Sequence, residues 1–465
     1  MNSIESKLLD RRQFLKLSTG STAALVLGFC WPLSGKDSLS DEDVIFVPNA
    51  YLKIHANDTV SVIMPRSEMG QKIYTALPQI VAEELEADWS KIKVIQGDLN
   101  QVYGSQTTGG SASVRTQYDR LRKAGATAKA MLIQAAATTL NVPGSEFYAE
   151  SGFVHHSGSN RKLSFGSLVA MANTLPVPTD VILKDPKTFR IIGKAYKSLD
   201  GIGKVEGSIK FGYDFELPEM LTAVVERIPK YGGSMSSFDA TEALKVPGVI
   251  KIAPISAGVA VLADNSWAAL QGRKKLEVKW NDGPHAKLNS KKISEDFKAA
   301  LEQDGSIIRS EGNAEEALKT AKQQIELTFE VPYLDHAPQE PNNCTAHIHD
   351  GICEIWAPTQ NPGAAWWAAK SVTEFADDNI KVHTLRMGGA FGRKLQNDFV
   401  RDAVEVAQLT KLPVKVIRTR TEDLKNGFYR PSTVHQIQVG LDRSKKPVSW
   451  IHKLSGPQDG WAPII

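Results

Sequence analysis

Apolar and polar residues alternate from Ile380 to Leu385, and apolar residues then recur at three-and-four spacing from Asp398 to Leu409 through Phe399, Val400, Ala403, Val404 and Ala407. The first pattern predicts a strand and the second an amphipathic helix. Between them stands Met387-Gly388-Gly389-Ala390-Phe391-Gly392-Arg393-Lys394. A second unit of the same kind lies near the start, with a strand over Val60 to Met64, a turn over Arg66 to Gln71 and a helix over Ile73 to Leu85 that runs across Pro78. A short strand follows over Ile92 to Ile95 and closes at Gly97-Asp98. The stretch Thr107-Thr108-Gly109-Gly110-Ser111-Ala112-Ser113-Val114 then leads into a long helix predicted over Tyr118 to Leu140. From Leu199-Asp200-Gly201 through Phe211-Gly212-Tyr213-Asp214 and Met220 to Val225, and on to Val246-Pro247-Gly248-Val249, the pattern reads as short strands. Ser290 to Leu327 reads as a charged, helix-prone connector, and Val448 to Leu454 as a strand.

A strand, a glycine turn and a helix start together make a cradle. Glycine lacks a Cβ, so the backbone turns sharply and brings several N–H groups near one bound oxygen. The helix that follows adds its partial positive charge. Two familiar phosphate cradles are excluded at Gly388–Gly392. A P-loop needs Gly-Lys-Ser/Thr, whereas Lys394 follows Arg393 and precedes Leu395. A dinucleotide G-x-G-x-x-G fails because Ala390 and Arg393 occupy its glycine positions. By itself the turn is equally compatible with glycines kept only for their backbone angles. Around Ser111, hydroxyls and N–H groups ahead of a helix suit a phosphorylated, polar ligand, and a helix cap behind a flexible linker is the alternative.

Composition narrows the class. With 465 residues, 42% hydrophobic and 23% charged, the chain has room for about three globular domains. A net charge of +3 is too small to argue for nucleic acid. No His, Cys or carboxylate cluster has metal-ligand spacing, so no protein metal ligand is expected. The three cysteines, Cys30, Cys344 and Cys353, are fewer than the four that an iron–sulfur cluster takes. Cys344 and Cys353 could pair or remain buried thiols. At the start, Asp10-Arg11-Arg12-Gln13-Phe14-Leu15-Lys16 precedes an apolar segment from Leu17 to Phe29. That segment falls short of the about 20 residues that cross a bilayer. It reads as a twin-arginine export signal, with a basic amphipathic helix as the alternative.

Taken together, these motifs resemble the molybdenum-binding subunit of the xanthine dehydrogenase and aldehyde oxidase family, in particular the isoquinoline oxidoreductase type. In that family a Gly-Gly-x-Phe-Gly turn sets backbone N–H groups over the cofactor, which implies Gly389, Ala390, Phe391, Gly392 and Arg393 here. Ala357-Pro358-Thr359-Gln360 is similar to the family's Thr-Gln motif and implies Gln360. Ser67-Glu68-Met69-Gly70-Gln71 resembles a pterin-binding Glu-Met-Gly-Gln-Gly turn and implies Gly70 and Gln71, with Lys72 in place of the last glycine. The small-residue stretch implies Ser111, Ala112, Ser113 and Val114, as contacts to the pterin and its pyrophosphate. Leu412 to Val416 and Thr419 to Asp423 resemble the family's next strand and turn. His336-Ala337-Pro338-Gln339-Glu340-Pro341 resembles a wall segment in which His336 and Glu340 are not catalytic. These pterin-contacting turns precede the Gly-Gly-x-Phe-Gly turn, as is characteristic of the permuted isoquinoline type.

The resemblance implies an α+β and α/β chain with the multi-domain fold of a molybdenum hydroxylase large subunit, incomplete at the C-terminus. Permuted molybdopterin-binding segments at 45–185 and 290–465 would flank an a/b hammerhead domain at 190–285, behind a signal segment at 1–35. The implied cofactor is molybdopterin with molybdenum, in the cytosine dinucleotide form. The implied partner is a small [2Fe-2S] subunit that takes the electrons. The implied reaction is hydroxylation of an aldehyde or N-heterocycle with oxygen from water. Leu395 stands where purine-oxidising relatives carry a glutamate. No Gly-x-Gly-Glu motif, which carries the family's base, occurs in these 465 residues, so no catalytic residue is assigned and the chain alone is expected to be inactive. The alternative is a truncated, non-catalytic cofactor-binding or interaction protein. The expected location is the periplasm, reached by the twin-arginine route. Replacing Arg11 and Arg12 together by lysine should leave the protein in the cytoplasm in a fractionation assay, and unaltered export would refute the signal.

Overall fold

The structure is a computed structural model, and it describes residues 45–457. The proposed signal segment and Cys30 lie outside the described residues. The first module is built on a four-stranded sheet of β1 (Ile45–Asn49), β2 (Leu52–His55), β3 (Val60–Met64) and β4 (Ile92–Gln96) in that order. β3 is buried along its whole length and pairs in parallel with β4, so the crossover helix α1 (Ile73–Leu85) covers the sheet. α1 packs against α2 (Ser113–Leu140), and α3 (Phe165–Ala172) packs against α2 behind a small hairpin sheet of β5 (Phe147–Glu150), β6 (Phe153–His156) and β7 (Lys162–Ser164). Phe46, Leu52, Val62, Leu77, Leu121 and Leu132 are among the fully covered side chains of this core. Each contributes about 1.5–3 kcal/mol of burial.

α2 begins at Ser113, five positions before the start read from the pattern. Ser113, Arg115, Thr116 and Gln117 carry no apolar period, so hydrophobicity could not reveal this first turn. The segment expected to open with strands instead forms α4 (Gly201–Glu206), and Phe211–Asp214 is a turn.

The second sheet overrides the expected boundary near 285–290. Its seven strands run in the order β10 (Val249–Ile255), β11 (Gly258–Ala263), β8 (Leu221–Arg227), β17 (Val414–Ile417), β14 (Asn343–His349), β15 (Ile352–Ala357) and β16 (Ile380–Thr384). Three strands of the supposed middle domain thus share one sheet with four from the last segment, joined where β8 and β17 pair in parallel. The reason is burial on both faces. β11 and β17 are buried throughout, and Ala223, Val225, Ala260 and Leu262 sit in one core with Cys344, Ile355, Phe399, Val404 and Val416. A two-stranded ribbon of β9 (Ser234–Asp239) and β12 (Glu277–Asn281) stands apart, and α5 (Ser266–Lys275) packs against β8 and β11.

The connector is helical only in part. α6 (Ser290–Leu301) and α7 (Ala314–Thr320) precede β13 (Gln323–Val331), a nine-residue strand that pairs with β18 (Thr433–Leu441), which in turn pairs with β19 (Pro447–Ser455). α8 (Pro362–Lys370), α9 (Asp398–Gln408) and α10 (Arg420–Lys425) complete the described helices. Cys344 and Cys353 are free and buried, and burial pushes the Cys353 thiol up to about 12. No described helix is long and apolar enough to cross a membrane.

Gly125 marks the closest approach of α1 and α2. A Cβ there would lie 2.6 Å from Val81 O and 2.9 Å from Glu84 Cβ. Gly125→Ala should lower stability by about 1–2 kcal/mol, since overpacking of about 2–3 kcal/mol outweighs the ~1 kcal/mol gained in helix propensity. A thermal melt that rises instead would show that the helices separate freely.

Candidate functional site

Four segments remote in sequence meet at the edge between the first module and the large sheet. Gln360, 2% exposed, is the joint. Its Oε1 accepts from Gly392 N–H at 3.0 Å, and its Nε2 donates to Thr108 O at 2.8 Å across 252 positions. These partners also settle which way the carboxamide points, since the first must be an acceptor and the second a donor. The backbone is laced as well. Thr108 N–H donates to Gln360 O at 2.7 Å, and Gln360 N–H donates to Lys394 O at 3.0 Å. Thr359 Oγ1 bonds Lys394 O and Asn397 Oδ1.

The turn of Arg66 to Gln71 joins the same edge. Ser67 Oγ donates to Thr359 O at 2.8 Å, Ser67 N–H donates to Thr108 Oγ1 at 2.9 Å, and Met387 N–H donates to Glu68 O at 3.1 Å. Arg66, 3% exposed, binds Thr107 O and Thr116 Oγ1. Glu68 takes the N–H groups of Gly70, Lys72 and Tyr74, so its carboxylate caps α1. Gln71 folds back, accepting from Met69 N–H and donating to Ser67 O. It shapes the turn and keeps one exposed amide hydrogen. Lys72 has φ +64, so it holds the left-handed conformation that a glycine would take more readily.

Ser111 (φ +51) and Ala112 lead into α2, whose first turn contains Ser113 and Val114. This helix start has neither a side-chain cap nor an acidic residue in its first turn. Its leading N–H groups are therefore open to an anion.

The Gly388–Arg393 turn is braced from beneath. Glu340 Oε2 accepts from Gly388 N–H at 2.8 Å and from Lys394 Nζ at 2.9 Å, and its Oε1 accepts from Asn343 Nδ2 and Tyr213 N–H. Arg393, expected as a ligand contact, is fully buried and clamps Asp398 with two bonds of 2.9 Å. Its N–H donates to Ala390 O. The residue is a brace, because a guanidinium without solvent must meet its counter-charge. Burial opposes the Asp398 carboxylate, but Arg418 and Arg393 overcome it and hold its pKa down at about 2. Above these braces Gly389, Phe391 and Gly392 all have positive φ, and Phe391 is 59% exposed.

Of the expected residues, Gln360 and Gly392 are bonded directly, Thr108 ties the start of the stretch that leads to Ser111–Val114 to Gln360, and Gly70-Gln71 follow Ser67 and Glu68, which bond Thr359 and Met387. Thr108, Ser67, Arg66, Thr359 and Asn397 were not singled out as site residues. Only their places beside the motifs hinted at them. Nothing of the space over Gly70 or Gly110 is filled by protein, since a Cβ on either would meet no atom within 4 Å. Open glycine turns, an uncapped helix start and inward-facing amides fit an oxygen-rich, phosphorylated cofactor. Among the described residues no group of three or more His, Cys, Asp or Glu is placed to hold a metal ion.

Two family models, each described as a molybdopterin cofactor-binding domain, match residues 27–215 and 299–454. The chain is 30% identical to isoquinoline 1-oxidoreductase subunit beta of Brevundimonas diminuta, over 98% of this chain and 65% of that one. It is 29% identical to the membrane-bound aldehyde dehydrogenase [pyrroloquinoline-quinone] of Gluconacetobacter polyoxogenes, over 95% of this chain and 60% of that one. Among solved structures, the aldehyde oxidoreductase from Desulfovibrio gigas is similar at 18% identity and a TM-score of 0.47, over 62% of this chain and 38% of that one. The chain thus spans less than two thirds of the length of these relatives.

Glu340→Gln keeps an acceptor for Gly388 but leaves the fully buried Lys394 ammonium without a counter-charge. Urea unfolding should show a loss of about 3 kcal/mol. An unchanged midpoint would show that the pair does not brace the turn.

Proposed function

Since the chain belongs to the xanthine dehydrogenase and aldehyde oxidase family of molybdopterin-binding subunits, we propose that it is the cofactor-holding subunit of an oxidoreductase that hydroxylates an aldehyde or an N-heterocycle with oxygen from water. We take the electrons to leave through a separate [2Fe-2S] subunit, since three cysteines cannot hold a cluster. The observation that carries this reading is the bridge of Gln360 between Thr108 and Gly392, because it ties the two matched molybdopterin-binding regions into one ligand edge.

Residue roles follow from which donors remain. The N–H groups of Gly389, Ala390 and Phe391, with the second amide hydrogen of Gln360, would face the cofactor's reacting end. Gly70 and the remaining Gln71 amide hydrogen would take the pterin. Ser111, Ala112 and the open helix start at Ser113 and Val114 would hold the pyrophosphate, here read as part of a cytosine dinucleotide form. When bound, the cofactor supplies the two-electron redox centre, and the protein supplies binding, orientation and exclusion of water. Isoquinoline and aldehyde in the names of the relatives support the substrate class. Leu395 in place of a glutamate argues against purines. Residues 190–285 would correspond to the a/b hammerhead, although their strands complete the large sheet. Export by the twin-arginine route to the periplasm suits a protein that folds around a cytoplasmic cofactor.

The two carboxylates nearest the turns are unfit as bases. Glu68 is engaged by three backbone N–H groups and Glu340 by an ammonium, a carboxamide and two N–H groups. General-base assistance contributes on the order of 10²–10⁴ in rate. The chain alone should therefore reduce no dye with aldehydes or N-heterocycles, even with the iron–sulfur subunit added, and robust turnover would return Glu68 or Glu340 as the base. Expressed in a host that makes the cofactor, the protein should hold molybdenum by elemental mass spectrometry. Gln360→Ala and Gly392→Val should each lose most of it. A wild-type chain without molybdenum or pterin would overturn the reading.

A further inference from the structure

The strands that feed the two halves of the ligand edge are joined by a charged relay that belongs to no motif. β4 passes through Gly97 and Asp98 into the loop that ends at Ser111–Val114, and β16 passes through Met387 into Gly389–Gly392. His383 on β16 stands between carboxylates from both sides. Its Nδ1 is 3.1 Å from Asp98 Oδ2, across 285 positions, and its Nε2 is 3.1 Å from Glu354 Oε1 on β15. Beside it Leu99 N–H donates to Val382 O at 3.1 Å. Trp356 stacks on the imidazole with centroids 5.1 Å apart.

A ring with a carboxylate at each nitrogen donates from both, and only the imidazolium can do so. Burial alone would lower its pKa, but Asp98 and Glu354 hold it up at about 9. The Glu354 carboxyl is held down at about 2, first by His383 and then, against burial, by His349. Because the folded His383 pKa lies above the ordinary 6.5, its stabilisation is complete below pH 6.5 and is lost as pH rises through about 9. Because Glu354 is depressed, its share is present above pH 4.5 and is lost as pH falls through about 2. The other charged groups near β16 are engaged or turned outward. Lys370 of α8 pairs with Asp377 at 2.9 Å, Lys381 is exposed, and His349 faces Glu354 and Asp350.

The relay is mechanically continuous with the site. Asp98 O accepts from Gln106 Nε2 at 3.0 Å, Gln106 Oε1 accepts from Asn100 N–H at 2.8 Å, and Gln106 is 3% exposed. Two residues later Thr108 makes its bonds to Gln360. On the other side Leu385 N–H donates to Ala357 O at 2.9 Å, three residues ahead of Gln360. We propose that His383, paired with Asp98 and Glu354, is a positioning residue of the ligand site that holds the Asp98–Val114 loop and the Gly388–Gly392 turn at the separation Gln360 bridges. The molybdopterin reading enters only in what the two turns hold.

Amide hydrogen exchange on the full chain tests this. In His383→Gln and Asp98→Asn, the N–H groups of Thr108 and Gly392 should exchange about ten-fold faster or more, while amides of β14 and β17 keep their protection. In the wild type, after correction for the intrinsic pH dependence, those two amides should lose protection as pH rises through about 9, and His383→Gln should show no such step. Asp98→Asn keeps a polar partner for Nδ1 and decides the matter if His383→Gln does not fold. Unchanged protection at the two turns, or loosening spread evenly over the large sheet, would overturn the proposal. Molybdenum content separates it from the function. A wild type that holds molybdenum while the variants leave both turns unaltered sinks the positioning role alone. A wild type without molybdenum whose turns loosen in the variants sinks the cofactor reading and leaves the positioning role standing.

Discussion

The carboxamide of Gln360 takes a hydrogen bond from Gly392 and gives one to Thr108, and because Gln360 is 2% exposed its carboxamide cannot turn to water instead. A buried donor or acceptor left unmade costs about 1–3 kcal/mol, several times the net gain of an ordinary bond. The two modules therefore have one favourable register, in which both ends of the amide are met at once. Ser67, Glu68, Thr359 and Met387 complete the same seam, with Ser67 Oγ donating to Thr359 O and Met387 N–H to Glu68 O. Since the ligand turns lie on either side of this seam, the docking of the modules and the formation of the site are one event.

Beneath the Gly388–Gly392 turn the chain carries an unusual load of buried charge. Lys394 meets Glu340, and Arg393 begins a line through Asp398, Arg418 and Asp402 to Arg227 on β8, with contacts of 2.6–3.1 Å. Buried ions are costly unless every partner is present, so such a line penalises any other arrangement of the turn. It also explains why β8 belongs to the same sheet as β14–β17. Arg227 and Val225 reach Asp402 and the shared apolar core from one strand. The turn can then hold left-handed angles at Gly389, Phe391 and Gly392, matched across the seam by Lys72 and Ser111. Such angles cost about 1–3 kcal/mol at non-glycine residues and persist where the surroundings over-determine them.

Several elements were legible in the residues alone. β3, α1 and α9 lie within a residue of the patterns that predict them, because each buries one continuous face and ends at a turn. The glycine turns, Gln360 and the Ser111–Val114 stretch were identified from motifs that are local in sequence. Less visible were the start of α2, whose first turn has no apolar period, and β13, whose exposed alternation lies inside a charged segment.

What the sequence determined by itself is the set of parts: two strand–turn–helix units, a small-residue helix start, and the family likeness that these carry. Tertiary structure alone decided which donors are left for a ligand. Arg393 reads as a ligand contact until Asp398 is found against it, and Glu340, read from the resemblance as a wall residue, is shown only by the fold to hold Lys394 and Gly388. His383 and Asp98, 285 positions apart, carry no local sign that they meet. The reason is physical. Patterns along the chain report which face of an element is buried, whereas the charge state and free hydrogen bonds of a side chain depend on neighbours that only the packed fold brings within about 3 Å.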